Sequence, residues 1–294
     1  MTNQTSVTIG DWVHGARLRT LPLAVAPVVL GTGSALWADS FDVWLFVLCV
    51  AIAVSLQVGV NFANDYSDGI RGTDAHRVGP ARLTGSGLVD PQLVKKTAWF
   101  FLGLAVVVGL VVVVVTGIWW FLAIGAVCVL AAWFYTGGRR PYGYAGLGEV
   151  VVFVFFGLVA TTGTAWVMIG SIPGEAWFTG SAAGFFAAAV LLVNNLRDLE
   201  QDAKAGKRTL AVKLGPALAR VLLVVLLALP YGIVAVLQLI FVQATFVFVL
   251  GIMTGVIMVI VVWSKKPAEL VLALGLMSLN SLLFACALAW AIAF

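Results

Sequence analysis

Six of the thirteen acidic residues fall in two short windows, and these windows hold the chain's best means of doing chemistry. The first reads Asn64-Asp65-Tyr66-Ser67-Asp68-Gly69-Ile70-Arg71-Gly72-Thr73-Asp74. The second reads Asn194-Asn195-Leu196-Arg197-Asp198-Leu199-Glu200-Gln201-Asp202. Residues four apart share a helical face, so Asn64 projects with Asp68, and Asn194 with Asp198 and Asp202. Brought face to face, the two sets predict a dense cluster of oxygens. Carboxylates crowded at the edge of a membrane are costly and repel one another unless a cation joins them. Mg²⁺ meets both difficulties, because it takes oxygen ligands and keeps waters or substrate phosphates in its shell.

Cations are interleaved with the acids: Arg71, Arg77 and Arg82 after the first window, Lys204, Lys207 and Arg208 after the second. Carboxylates, a divalent metal and flexible cations are together what a diphosphate needs, the metal bridging phosphate oxygens and Lys or Arg taking the remaining charge. Glycines at 69, 72, 79, 85, 87 and 206 allow the loops to close around a ligand. Either window alone reads equally well as an ordinary solvated loop. Two of them at matching positions do not.

The elements that position these windows follow from composition. Of 294 residues, 62% are hydrophobic and 10% charged, against about 25% charged in a soluble domain, and mean hydropathy is +1.08. This excludes a water-soluble fold and makes the bilayer the chain's solvent. A spanning helix needs roughly 20 apolar residues, and nine stretches qualify: 20–37, 43–63, 98–117, 118–136, 147–170, 177–196, 217–240, 244–263 and 268–292. The third and fourth form one nearly continuous run, divided by an interfacial turn at Gly117 and Trp119. With nine spans, all 17 Lys and Arg fall on one side, with the N-terminus and the loops after spans 2, 4, 6 and 8. The positive-inside rule makes that side cytoplasmic and leaves the C-terminus outside. The same placement explains a pI near 9.1 without nucleic acid as a partner. Both acidic windows then lie at the cytoplasmic ends of parallel spans, 2 and 6. The chain reads as one all-α membrane domain over 1–294, with no cleaved signal peptide. Cys49, Cys128 and Cys286 fall within spans as small apolar residues. Gly59, Gly157, Gly163 and Gly184 are candidates for close helix contact.

Asn64-Asp65-x-x-Asp68 and Asp198-x-x-x-Asp202 resemble the two aspartate-rich motifs of the UbiA superfamily of intramembrane prenyltransferases. The string from Asn194 to Asp202, continued by Gly206-Lys207-Arg208-Thr209-Leu210-Ala211, resembles its branch acting on 1,4-dihydroxy-2-naphthoate in menaquinone synthesis. Arg19-Thr20-Leu21-Pro22, Gly79-Pro80-Ala81-Arg82-Leu83, Tyr135-Thr136-Gly137-Gly138 and Pro141-Tyr142-Gly143-Tyr144 agree with it. The resemblance implies nine transmembrane helices around a central cavity that opens sideways to lipid for the prenyl tail. It implies that Asn64, Asp68, Asp198 and Asp202 hold Mg²⁺, with Asp68, Asp198 and Asp202 the catalytic acids. Asp74 assists in that reading, although it falls six residues after Asp68 where many members place that acid four after. Arg71, Arg82, Lys204 and Arg208 are implied as contacts of a polyprenyl diphosphate. Arg19, Tyr135, Arg139, Glu149 and Asn195 are candidates for the acceptor side or the cap.

The reaction so implied is departure of the diphosphate, attack of the aromatic ring on the allylic cation, and release of CO₂ in the naphthoate branch. Tyr66 and Tyr135 are candidates for cation–π contact or for interfacial anchors. Glu149, at the start of span 5, either binds the acceptor or stays at the interface. His14 and His76 lack partners at ligand spacing and read as solvated. Two other readings stand beside this one: the same chemistry on another acceptor such as 4-hydroxybenzoate, and a secondary anion transporter. The transporter fits less well, because transporters place substrate near the midplane on broken helices.

Overall fold

The computed structural model describes residues 7–73, 82–264 and 266–294, and its regular structure there is helical. A short helix, α1 (Ile9–Ala16), starts in a capping box between Thr8 and Asp11 and ends where Arg17 turns left-handed. It meets α2 (Pro22–Trp37) at a 44° bend through a turn at Leu18–Thr20, with Pro22 preset for the first helical position. Then come α3 (Val43–Ile70), capped by the Asp42 carboxylate, α4 (Pro91–Thr116) and α5 (Phe121–Phe134). Helix α6 (Gly148–Ile169) contains a π-helical stretch, Phe153–Val159. Next are α7 (Gly174–Arg197), short α8 (Leu199–Lys204), α9 (Leu210–Leu237), α10 (Val242–Trp263) and α11 (Pro267–Ala293).

In lipid the backbone must satisfy itself, which is why the apolar runs are helices. Their outer faces carry exposed Val107, Val114, Val115 and Val221. The inner faces pack α3 on α4, α2 on α11, and α7 against α6 and α9. Apolar contact alone gives little drive between helices in lipid, so close fit matters. A Cβ on Gly157 would stand 2.5 Å from both the Gly180 carbonyl oxygen and the Gly184 Cα, so α6 and α7 touch backbone to backbone there. Gly163, expected to do the same, has room: its nearest neighbour is Phe121 at 3.8 Å.

The nine apolar stretches all became helix, and Gly117 turns between α4 and α5 with φ +71°. The count of crossings is met in part. By length and composition, seven helices among the described residues can cross a bilayer, and the bent pair α1–α2 makes an eighth. The expected ninth, α5, has 14 residues, short of the roughly 20 that a crossing takes. The reason is local: Trp119 and Trp120 go into the turn, and the helix stops at Phe134.

Candidate active site

A cavity of about 480 Å³ lies among the helices, and both acidic windows line it. Helix α3 runs on through its polar end, so Asn64 and Asp68 point into the cavity from its last turns. The second window straddles a break. Helix α7 ends at Arg197, Asp198 leaves helical geometry at φ −95° and ψ 8°, and α8 carries Asp202. Asn64, Asp68, Asp198 and Asp202 are all buried.

The predicted cluster of bare oxygens is not what the fold assembles. Each carboxylate meets a cation. Asp68 Oδ2 lies 2.6 Å from Arg82 Nη1 and 3.0 Å from Lys207 Nζ, and the same lysine stands 3.6 Å from Asp202 Oδ1. Arg197 forks onto Asp198, with Nε and Nη2 donating at 2.8 and 2.5 Å. Tyr144 donates its hydroxyl to Asp68 Oδ1. Burial, then the Asp68 charge, hold that phenol well above its usual range, so it stays a donor at physiological pH. The Tyr144 ring also lies under Lys207, 4.7 Å from Nζ, and under Arg71, 5.3 Å from its guanidinium carbon.

Asp65 also borders the cavity, but its carboxylate is engaged by backbone. Its two oxygens accept the backbone N–H groups of Leu83 and Thr84 at 2.9 and 2.8 Å. This fastens the incoming loop to α3, and Gly69 makes room, since a Cβ there would strike the Thr84 side chain. The fastened loop delivers Arg82, which also donates to the Asn64 carbonyl at 3.1 Å. Asn64 Oδ1 accepts from the Thr136 hydroxyl at 2.7 Å. Arg71 grips the carbonyls of Thr136 and Gly138, tying the segment after α5 to the end of α3.

The remaining candidates divide. Arg19, Arg82, Tyr135 and Asn195 line the cavity. Glu149 is buried behind it, accepting from Asn195 Nδ2 at 2.9 Å. Arg71, Lys204 and Arg208 do not line it, and all three are exposed. Arg139 sits with Arg140 at a separate surface recess. Tyr66 faces Lys95 at 5.5 Å instead of the cavity. Asp74, with His76 and Arg77, lies outside the described residues. Arg197, Tyr144 and Thr136 were not singled out as site residues by the sequence, and Lys207 was named only among the cations interleaved with the acids; these four carry much of the site's charge and hydrogen bonding.

Among the described residues no three His, Cys, Asp or Glu side chains form a group able to hold a metal unaided. The donor set still fits Mg²⁺. Asp68, Asp198, Asp202 and Asn64 offer hard oxygens to one cavity, and Mg²⁺ typically takes only one or two carboxylates, completing its shell with waters and phosphate oxygens.

A sequence model of the UbiA prenyltransferase family matches residues 24–282. A Mycobacterium tuberculosis protein named 1,4-dihydroxy-2-naphthoate octaprenyltransferase is 50% identical over 221 residues, 75% of each chain. The Haemophilus influenzae protein of that name is 38% identical over 287 residues, 92% of each chain. Among solved structures, a UbiA homolog from Archaeoglobus fulgidus bound to GPP and Mg²⁺ superposes with a TM-score of 0.70 at 18% identity. The match covers 96% of this chain and 99% of that one. The fold, the family match and these relatives agree: this integral membrane chain belongs to the UbiA prenyltransferase family.

Proposed function

We propose that the chain transfers a polyprenyl group from its diphosphate to 1,4-dihydroxy-2-naphthoate, releasing diphosphate and CO₂ and giving demethylmenaquinol for menaquinone synthesis. The observation that carries this is the meeting of Asp68 and Asp202, one from each acidic window, on Lys207 at 3.0 and 3.6 Å. They meet in a cavity that also has an apolar stretch of wall, with Val60, Ala131, Val152, Phe155 and Phe156. The names of the relatives support the acceptor.

Asn64, Asp68, Asp198 and Asp202 would hold Mg²⁺, which when bound supplies positive charge to the departing diphosphate. Arg82, Lys207 and Arg197 take the rest of that charge, preorganised where water is excluded. Tyr144 keeps the Asp68 carboxylate oriented. The apolar wall shields the allylic cation from water until the ring attacks. With the prenyl group taking the carboxylate's place, the electron pair left by CO₂ restores the ring. Arg19, Tyr135 and Asn195 form the acceptor side, while Arg71 holds the cap closed through Thr136 and Gly138. We infer nine crossings of the bacterial cytoplasmic membrane, with α5 the short ninth, the N-terminus and site cytoplasmic and the C-terminus outside. That arrangement alone collects all 17 basic residues on one side.

The test supplies the detergent-purified chain with polyprenyl diphosphate, Mg²⁺ and either naphthoate or 4-hydroxybenzoate, and identifies products by mass. A prenylated, decarboxylated naphthalenediol is expected. Product from hydroxybenzoate alone overturns the acceptor, and undiminished turnover in excess chelator overturns the metal.

A further inference from the structure

Glu149 is only 5% exposed, yet it is not part of the cavity wall. It stands in the first turn of α6, where the unpaired N–H groups favour an anion. One oxygen, Oε1, accepts from Asn195 Nδ2 at 2.9 Å, while Oε2 is buried without a hydrogen-bond partner. A polar group held so deep, with half its capacity unused, needs a reason.

Asn195 supplies it. This residue does line the cavity. A side-chain amide has a donor end and an acceptor end of nearly the same shape. With Nδ2 held by Glu149, Oδ1 is the polar end left for the cavity. Without Glu149, nothing in that direction would choose between the two ends. A phenolic hydroxyl is a donor, and a buried site that offers it an acceptor discriminates strongly against rings lacking it. We propose that Glu149 is a positioning residue, fixing the Asn195 amide so that its Oδ1 receives a ring hydroxyl of the aromatic acceptor. The inference rests on the prenyl-transfer reading and adds to it how the ring is recognised.

The experiment varies naphthoate at saturating polyprenyl diphosphate, then the reverse, with the full chain in detergent. Glu149→Leu should raise the KM for the ring about tenfold, the size of one net hydrogen bond, and leave the KM for the diphosphate within about twofold. Glu149→Gln, whose amide oxygen still accepts from Asn195, should stay close to the parent. Asn195→Ala should match Glu149→Leu, and the double variant should be no worse than Asn195→Ala. Multiplying effects in the double variant, an equal rise in the diphosphate KM, or Gln as damaging as Leu would each overturn the proposal. If Glu149→Leu does not fold, Glu149→Ala is compared with and without Asn195→Ala: a rise in the ring KM that vanishes once Asn195 is gone supports the inference, and a rise that persists, or none at all, overturns it. The parent enzyme's product tests the parent reading separately. If it prenylates a different phenol, the same variants are measured with that phenol.

Discussion

Asp65 lies inside an acidic motif but works on a loop, and Asp65→Asn separates that role from metal binding. Its two oxygens accept from Leu83 and Thr84 at 2.9 and 2.8 Å. Asparagine keeps one acceptor and turns an NH₂ toward the other N–H, donor against donor. A hydrogen bond to a charged group contributes about 1.5–3 kcal/mol net, so closing the loop should lose about 2 kcal/mol. That corresponds to roughly a thirtyfold rise in the open population. Amide exchange of the segment from Leu83 to Leu88 reads this directly, because exchange there follows local opening. It should speed up by roughly thirtyfold in Asp65→Asn. Since the loop carries Arg82 to Asp68, the KM for prenyl diphosphate should rise in step. Lost activity with unchanged exchange at Leu83 and Thr84 would refute the clamp and make Asp65 a ligand.

Arg82→Ala should raise the KM for prenyl diphosphate tenfold or more, whereas Lys204→Ala and Arg208→Ala, exposed and off the cavity, should change it less than about twofold; steady-state kinetics on the three variants decides. Lys207→Met removes the cation shared by Asp68 and Asp202, and kcat/KM for the diphosphate should fall by about tenfold to a hundredfold. Tyr144→Phe removes one donor from Asp68 and should lose less, about tenfold at most, in the same assay. Gly157→Ala forces a methyl between two backbones and should destabilise by about 1–3 kcal/mol, lowering the melting temperature in detergent, while Gly163→Ala should leave it unchanged.

The sequence exposed the two windows because charge is scarce in an apolar chain, and it exposed the helices because lipid leaves the backbone few other choices. It could not say which basic residue faces inward. After α8 the chain turns at Gly206 with φ +77°, and the Lys207 N–H closes onto the Asp202 carbonyl at 2.8 Å. That turn sends Lys207 into the cavity and leaves Lys204 and Arg208 outside. Likewise, neighbours in a continuous helix do not face each other, so Arg197 and Asp198 do not read as a pair. They become one because the helix breaks between them. Arg71 reads as a phosphate ligand by its place in the motif, but it lies just past the end of α3, where two carbonyls of the cap claim its guanidinium.

These pairings bear on how substrate enters. Asp68, Asp198 and Asp202 stand against Arg82, Arg197 and Lys207, so the acids already have countercharge close by. Adding a bare diphosphate would place uncompensated negative charge beside buried carboxylates, and adding a bare divalent cation would set it against buried cations; either alone is costly. Together the two nearly cancel, and each can claim half of the existing pairs, phosphate oxygens drawing the Arg and Lys heads while the metal takes the oxygens they release. On the proposed reading, Mg²⁺ and polyprenyl diphosphate therefore bind with positive coupling. The dissociation constant of a non-reacting diphosphate analogue should fall at least tenfold as Mg²⁺ is raised, and Lys207→Met should shrink that dependence. An analogue that binds equally well in chelator would show that the cations already present are sufficient.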